Sequence, residues 1–303
     1  MTQPVTLPSI EHNAPIPTWF SVGGAADRLA KPASIDELCA CIAAEPDLRI
    51  LGDGANLLVD DNGVGELVVK LDHPFFRTVE INESTGLVLA GGGADLSKLI
   101  HACIRAGLTG VEGLIGVPAT LGGAAFMNAG GAYGQMADVV HEIHAINSSG
   151  ERVVIPREKI GYAYRTSGLF DLVITGVQLQ LTPGDPEAAR IRLKDVMTKK
   201  KETQPLAAKT CGCVFRNPIL RADIEGVGAA HDRVSAGMLI DLAGGKGLPA
   251  GPCAVSSTHA NFIETSETAK ASDILRLIEK VQKLVLDRFE VELETEVVVW
   301  RRS

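Results

Sequence analysis

Leu48-Arg-Ile-Leu-Gly-Asp-Gly-Ala-Asn56 and Gly116-Val-Pro-Ala-Thr-Leu-Gly-Gly-Ala124 are the two stretches on which the reading of the fold turns. The first reads as a short strand, Leu48–Leu51, that runs straight into a glycine loop. Glycine takes up positive φ without a Cβ clash and lets the backbone approach a ligand closely, and successive N–H groups in such a loop can form a nest for an anion. Neither stretch is a G-x-G-x-x-G or a Walker sequence, so neither a Rossmann dinucleotide site nor a P-loop is supported. Singly, each could be a tight turn. Together with a third glycine-rich run, Met127-Asn-Ala-Gly-Gly-Ala-Tyr-Gly134, they point to a long, extended diphosphate ligand.

The elements around these loops define an α+β chain in two regions. Ser34-Ile-Asp-Glu37 is a capping-box pattern opening a helix to about Ala44, with Ile35, Leu38 and Ile42 inward. Strands are predicted at Glu66–Leu71 and Leu87–Ala90, the latter ending in Gly91-Gly-Gly93. Asp95 caps a helix whose apolar face is Leu96, Leu99, Ile100, Cys103 and Ile104, stopped near Gly107. Gly107 to Gly134 shows no sustained period, and so long a stretch without one inside a compact domain signals function. A hairpin over Glu142–Asn147 and Glu151–Ile155 and a long strand over Asp171–Leu181 follow. Composition shifts at Thr182-Pro-Gly-Asp-Pro186, which divides a region 1–185, with parts at about 1–72 and 73–185, from a region 186–303. The second region opens on a basic helix to about Thr203. It then predicts a strand near Asn261–Glu264, a helix over Ser272–Arg288 with Ile274, Ile278, Val281 and Val285 on one face, and a terminal strand over Val291–Trp300. The strand-rich first region points away from a helical bundle or an α/β barrel.

With 303 residues, 46 % hydrophobic and 22 % charged, the chain is long enough for two or three domains and ordinary for a globular protein. A net charge of −8 excludes a non-specific nucleic-acid binder, which needs a basic footprint, while leaving room for an anionic small ligand. No apolar run is long enough to span a membrane, and Met1 to Pro17 lacks the basic start and apolar stretch of a signal peptide, so a cytoplasmic protein is expected; a monomer is the expected state, though neither observation bears on it. The six cysteines are too scattered for a disulfide framework. Cys39, Cys41 and Cys103 read as small core residues. Cys211-x-Cys213 offers neither the redox spacing C-x-x-C nor a second pair to complete a metal site. Cys211 reads as packing, and no metal is expected.

Several further motifs join these loops in order: Tyr164-Arg-Thr-Ser167, Gly212-Cys-Val-Phe-Arg-Asn-Pro218, Ala236-Gly-Met-Leu-Ile-Asp-Leu-Ala-Gly244, His259-Ala-Asn-Phe262 and Leu293-Glu-Thr-Glu-Val297. In that order, over about Pro17 to Trp300, they resemble the UDP-N-acetylenolpyruvoylglucosamine reductase family. Arg165 and Cys213 lie 48 positions apart, which resembles the shorter of its two types. The resemblance implies a vanillyl-alcohol-oxidase-like FAD-binding fold of two subdomains followed by a C-terminal α+β substrate-binding domain. It also implies NADPH as co-substrate and a small-molecule UDP-sugar as substrate, in peptidoglycan precursor synthesis. The FAD diphosphate would rest on Gly52, Asp53, Gly54, Ala55 and Asn56 and on Gly116, Pro118, Ala119, Thr120, Gly122 and Gly123, with Asn128, Ala129 and Gly130 also at the cofactor. The loops carry no His that could tether the flavin covalently. Tyr133, Tyr164, Arg216, Asn217 and Lys246 would contact the substrate.

Three positions carry the chemistry that the resemblance implies. Arg165 matches the family's arginine, and its planar fork suits a carboxylate. Glu296 matches the family's glutamate, which acts protonated or through water and needs partial burial to hold its proton. The family's proton donor is normally serine, and this chain has Cys213 in its place. A thiol, with a pKa of about 8.5, gives up a proton far more readily than a hydroxyl near about 15.7, and only roughly 3 % of an unperturbed thiol is ionised at pH 7. Two other readings stay open at this point. One is a different oxidoreductase on the same flavin fold, since fold does not set substrate. The other is a non-catalytic flavin- or UDP-sugar-binding relative, which the missing serine favours.

Overall fold

The computed structural model describes residues 6–302; Met1–Val5, the start of the stretch read as lacking a signal peptide, lie outside the described residues. Contacts divide the chain into two units that interleave along it: Met1–Ala14, Ala26–Asp53 and Gly65–Lys200 form the first, and Pro15–Ala25, Gly54–Val64 and Lys201–Ser303 the second. Both mix helices and strands, as the α+β reading expects. No helix among the described residues is long and apolar enough to cross a membrane.

The first unit is built on two sheets. Four strands lie in the order Ile10–Pro15, Ala25–Ala30, Val64–Lys70, Arg49–Leu51, and the last pair runs parallel with Leu51 opposite Lys70. The helix Ile35–Ala44 covers this sheet through Leu38, Cys41 and Ile42, which share a core with Leu67, Val69 and Phe76. Its cap is reciprocal but displaced by one residue: Ser34 Oγ accepts from Glu37 N–H at 3.2 Å, and the Glu37 carboxylate accepts from Ala33 N–H at 2.7 Å rather than from Ser34. Ile35, expected inward, is only half-buried, because it sits in the first turn at the sheet's margin.

The second sheet is antiparallel, in the order Arg152–Pro156, Val140–Asn147, Leu172–Gln180, Leu87–Gly91, Val79–Asn82. The helix Leu96–Arg105, capped by Asp95 Oδ1 accepting from Lys98 N–H at 2.8 Å, buries the five apolar residues its period marked. The basic helix Pro186–Thr203 fully buries only Ala189, packs Leu193, Val196 and Met197 against this unit's core, and adds polar pins. Arg192 reaches Glu112 at 2.6 Å, and Lys200 Nζ donates to the Ile115 carbonyl at 2.6 Å.

The second unit packs the helices Ala236–Leu242 and Ala271–Phe289 with a three-stranded sheet of Pro249–Ala250, Cys253–Val255 and Ile263–Thr265. The long helix buries Ile274, Leu277, Ile278, Val281 and Val285. Leu57–Val59 joins the unit by pairing in parallel with Val298–Trp300. The terminal strand is shorter than its alternation suggested. Val291, Leu293 and Val297 are buried in the expected period, but the segment meets Val214–Arg216 through one isolated bridge, Phe215 to Thr295, so the ladder is confined to Val298–Trp300. The strand foreseen at Asn261–Glu264 starts at Ile263, because the Asn261 side chain is diverted to the Phe215 backbone.

Asp61 caps the long helix from a distant part of the chain: its carboxylate accepts from Ala271 N–H at 2.8 Å and Ser272 N–H at 3.1 Å. Burial works to raise its pKa, but the Ser272 side chain and these two amides outweigh it, and the carboxyl titrates below its ordinary value. A depressed carboxyl pKa contributes stability that is present above the unfolded pKa and lost as pH falls through the folded one. Asp61→Ala is therefore expected to cost about 0.5–1 kcal/mol at neutral pH, with the deficit closing under acid. Urea unfolding at pH 7 and pH 3 measures both.

Candidate functional site

The two loops that open the sequence reading meet in the first unit. The strand Arg49–Leu51 delivers Gly52 against Thr120, so closely that a Cβ on Gly52 would lie 3.0 Å from Thr120 Oγ1. Thr120 caps the short helix Leu121–Phe126, whose glycines let it lie on the Gly91-Gly-Gly93 backbone: Gly122 N–H donates to the Gly92 carbonyl at 2.8 Å, where a Cβ on Gly122 would come within 2.9 Å of that oxygen. The first turn of this helix is saturated from within. Leu121 N–H donates to Ala94 and Gly123 N–H to Thr120 Oγ1. Ahead of it, the N–H groups of Gly116, Ala119 and Thr120 donate no hydrogen bond among the described residues.

The other half of the Gly52–Asn56 loop belongs to the second unit. Gly54 has φ +68°, and a Cβ there would stand 2.1 Å from the Pro17 carbonyl oxygen, so no larger residue fits without moving the chain. The N–H groups of Gly54, Ala55 and Asn56 donate no hydrogen bond among the described residues. Three consecutive donors on a glycine loop form an anion cradle, which suits the diphosphate of the implied cofactor. Asn56 does a second job. Its Nδ2 donates to the Glu296 carbonyl at 3.1 Å and its own carbonyl accepts from Val298 N–H at 3.0 Å, tying the loop to the segment that carries Glu296.

Arg165 sits at the third position of a four-residue turn, Ala163–Thr166, closed by hydrogen bonds of 3.0 and 3.3 Å between its ends. Its φ is +59°, a left-handed conformation that costs a side-chain-bearing residue about 1–2 kcal/mol. The guanidinium donates to the Gly130 carbonyl at 2.8 Å and lies 5.1 Å from the Tyr164 ring centroid. Asn128, also left-handed at φ +45°, locks the turn to the Met127–Gly134 loop. Its Nδ2 donates to the Ala163 carbonyl at 3.0 Å and to Gln135 at 3.2 Å, and its Oδ1 accepts from Ala137 N–H at 2.9 Å. At 2 % exposure, Asn128 shapes this loop through its own hydrogen bonds. Ala129 and Gly130 follow it, both half-buried, and Tyr133 stands on the surface with the Lys199 ammonium 5.8 Å from its ring centroid.

In the second unit, the two cysteines of Cys211-x-Cys213 differ in burial. Cys211 is 6 % exposed, bonds the Leu57 carbonyl through Sγ at 3.4 Å, and is pushed by burial to a pKa of about 12, which leaves it an inert thiol. Gly212, at φ +76°, turns the chain so that Cys213 is half-buried. The segment after it is held on both sides. Val214 N–H donates to the Asn261 carbonyl at 2.8 Å, and Glu296 N–H donates to the Val214 carbonyl at 2.7 Å. Cys213 and Glu296, 83 positions apart in sequence, thus lie on adjoining segments of one hydrogen-bond network.

Asn217, expected at the substrate, accepts from Ala236 N–H through Oδ1 at 3.0 Å, and so also caps the helix Ala236–Leu242. Arg216 carries a buried Nε with no hydrogen-bond partner, and Lys246 pairs with Asp241 at 2.7 Å. Two residues of the His259-Ala-Asn-Phe262 motif had no role in the sequence reading and have one here. Asn261, 3 % exposed, clamps Phe215 with Oδ1 accepting from its N–H at 2.9 Å and Nδ2 donating to its carbonyl at 2.8 Å. His259 accepts from Asn261 N–H through Nδ1 at 3.2 Å and is kept neutral chiefly by burial, which lowers its pKa. The signal was present as an asparagine inside an otherwise apolar run.

Residues 204–300 match the family model for the C-terminal domain of UDP-N-acetylenolpyruvoylglucosamine reductase, and residues 26–155 match an FAD-binding domain. The chain is 36 % identical to the UDP-N-acetylenolpyruvoylglucosamine reductase of Maricaulis maris over 92 % of its own length and 87 % of that protein's. It is 37 % identical to the same-named protein of Nostoc punctiforme over 92 % of this chain and 82 % of that one. The crystal structure of the reductase from Thermus caldophilus superposes with a TM-score of 0.79 at 36 % identity, covering 93 % of this chain and 95 % of that chain.

Proposed function

The chain belongs to the UDP-N-acetylenolpyruvoylglucosamine reductase family, and from that membership we propose that it reduces the enolpyruvyl ether of UDP-N-acetylglucosamine to the lactyl ether of UDP-N-acetylmuramate at the expense of NADPH. It is an FAD-dependent oxidoreductase. We place it in the cytoplasm as a monomer, where its nucleotide substrates are dissolved. When bound, FAD supplies the two-electron relay between NADPH and the carbon–carbon double bond of the substrate.

The reduction adds a hydride equivalent to the terminal methylene carbon, making it a methyl group, and leaves negative charge on the neighbouring carbon and its carboxylate. The protein must hold that charge and then quench it. The Arg165 guanidinium matches a carboxylate in shape and charge, and the left-handed turn that presents it is a strained arrangement of the kind kept at functional sites. Cys213 donates its thiol proton to the carbon α to the carboxylate, and the thiolate left behind is reprotonated from solvent. Glu296, half-buried, is assigned to polarise the same region. Tyr133, Tyr164, Arg216, Asn217 and Lys246 are assigned to the UDP-sugar.

The observation that carries this reading is the network in the second unit, in which Asn56 of the diphosphate loop, Glu296 and the segment that follows Cys213 are linked by successive hydrogen bonds. The test is a two-step anaerobic absorbance trace on the purified yellow protein. NADPH should bleach the flavin band, and enolpyruvyl-UDP-N-acetylglucosamine should restore it. A flavin bleached by an alcohol, or one that NADPH reduces and the enolpyruvyl substrate never reoxidises, overturns the assignment.

A further inference from the structure

The diphosphate loop of the second unit has an aromatic neighbour that no motif assigns. Residues 17–22 turn sharply against it. Ser21 N–H donates to the Thr18 carbonyl at 2.9 Å, Thr18 Oγ1 donates to the Val22 carbonyl at 3.0 Å, and Ser21 is left-handed at φ +57°. The two central residues of this turn diverge. Phe20 is fully buried in the core of the unit, and its carbonyl accepts from Thr265 Oγ1 at 2.9 Å. Trp19 is turned out, 43 % exposed, while its own N–H donates to the Gly54 carbonyl at 3.2 Å.

That last bond places the exposed indole's backbone on the residue that begins the run of three undonated amides, Gly54 to Asn56. The close packing of Gly54 on Pro17 and Thr18, with only 2.1 Å available between a Cβ and the Pro17 oxygen, fixes turn and loop as one rigid piece. A single exposed apolar side chain needs no explanation by itself. A tryptophan anchored by buried or bonded neighbours on both sides, and bonded to an anion cradle, is different. Its backbone is fixed beside that cradle, and its aromatic side chain is open to a ligand.

We propose that Trp19 is a cofactor-binding residue, whose indole packs against the FAD beside the Gly54–Asn56 amides. The inference rests on the reading of this chain as a flavoprotein and adds a contact to it. An aromatic side chain that packs on a nucleotide ring contributes roughly a 10- to 100-fold gain in affinity, judged by its replacement with alanine.

The test uses the full-length chain, purified as the yellow protein and stripped of flavin. Hydroxyl-radical footprinting read by mass spectrometry separates Trp19 from Trp300, the second tryptophan of the sequence, which is 8 % exposed. Trp19 should be oxidised in the flavin-free protein and protected by saturating FAD. Titration with FAD should give a Kd raised at least about 10-fold in Trp19→Ala and only a few-fold in Trp19→Phe, with the thermal midpoint of each flavin-free variant close to wild type. If the wild type binds FAD while Trp19 is oxidised equally with and without it, or if Trp19→Ala and wild type share one Kd, the contact is overturned and the flavoprotein reading stands. A wild-type chain that binds no FAD would remove both.

Discussion

Cys213→Ala is expected to leave the reduction of the flavin by NADPH at its wild-type rate and to slow its reoxidation by the enolpyruvyl substrate about 10²- to 10⁴-fold, the usual worth of a positioned proton donor. The two half-reactions separate because the first moves a hydride from one nucleotide to another and needs no proton from this residue. The second adds a hydride to one carbon and a proton to the next, and alanine has none to give. Residual turnover would come from water reaching the charged carbon. Cys213→Ser supplies the discriminating control, since a hydroxyl of similar reach restores a donor without restoring a thiol, and substantial reoxidation is expected from it. Stopped-flow absorbance on each variant, with NADPH and the enolpyruvyl substrate mixed in separate shots, reads both rates. Equal losses in the two half-reactions would mean that the cysteine maintains the site's shape or its flavin and is not the donor.

Much of the scaffold around that chemistry could be read from residue order alone, and the reason differs from element to element. The helices Ile35–Ala44, Leu96–Arg105 and Ala271–Phe289 announce themselves by a 3.6-residue apolar period, and the first two also by a capping side chain, both properties of the local chain. The hairpin Val140–Pro156 is legible for the same reason, its strands adjoining in sequence. Leu57–Val59 is not: three apolar residues become a strand only because Val298–Trp300, some 240 positions away, lies beside them. Ile10–Pro15 and Ala25–Ala30 alternate too weakly to be read, and Val291–Val297 alternates well yet lacks a continuous partner. The site shows the same division. Glycines mark the loops because only glycine tolerates the approach seen at Gly54. That Arg165 is left-handed could not be foreseen, since arginine is no turn former and the conformation is imposed by the Ala163–Thr166 closure and the bond to Gly130. The motif match carried the candidate residues, and hydrogen bonds between distant segments decide which of them hold the others in place.

Asn261 is a clear case of such a residue, and its replacement should destabilise the second unit. Its side chain satisfies both backbone polar groups of Phe215, a residue 2 % exposed, and its carbonyl satisfies Val214 N–H. Asn261→Ala strands an N–H and a carbonyl in the interior, each costing about 1–3 kcal/mol, and a total of about 2–4 kcal/mol is expected because the two groups share one relaxing segment. The segment that relaxes is the one that follows Cys213 and supports the Glu296 backbone. A displacement of about 1 Å at a reacting group costs on the order of 10²-fold in rate, so flavin reoxidation should slow by that order in protein that is still folded. Asn261→Asp separates clamp from fold. The carboxylate keeps the acceptor for Phe215 N–H but faces the Phe215 carbonyl without a proton, which disfavours its charged form and raises its folded pKa. Raised in this way, it binds more protons folded than unfolded, and the variant should lose stability as pH rises above the unfolded value of about 3.9 and recover toward wild type below it. Urea unfolding of wild type and both variants at pH 3 and pH 8, beside the reoxidation rate at pH 8, tests the whole chain of consequences. An Asn261→Ala protein within 0.5 kcal/mol of wild type, by the usual threshold for an unimportant surface change, would show that the loop bearing Cys213 is held by something else.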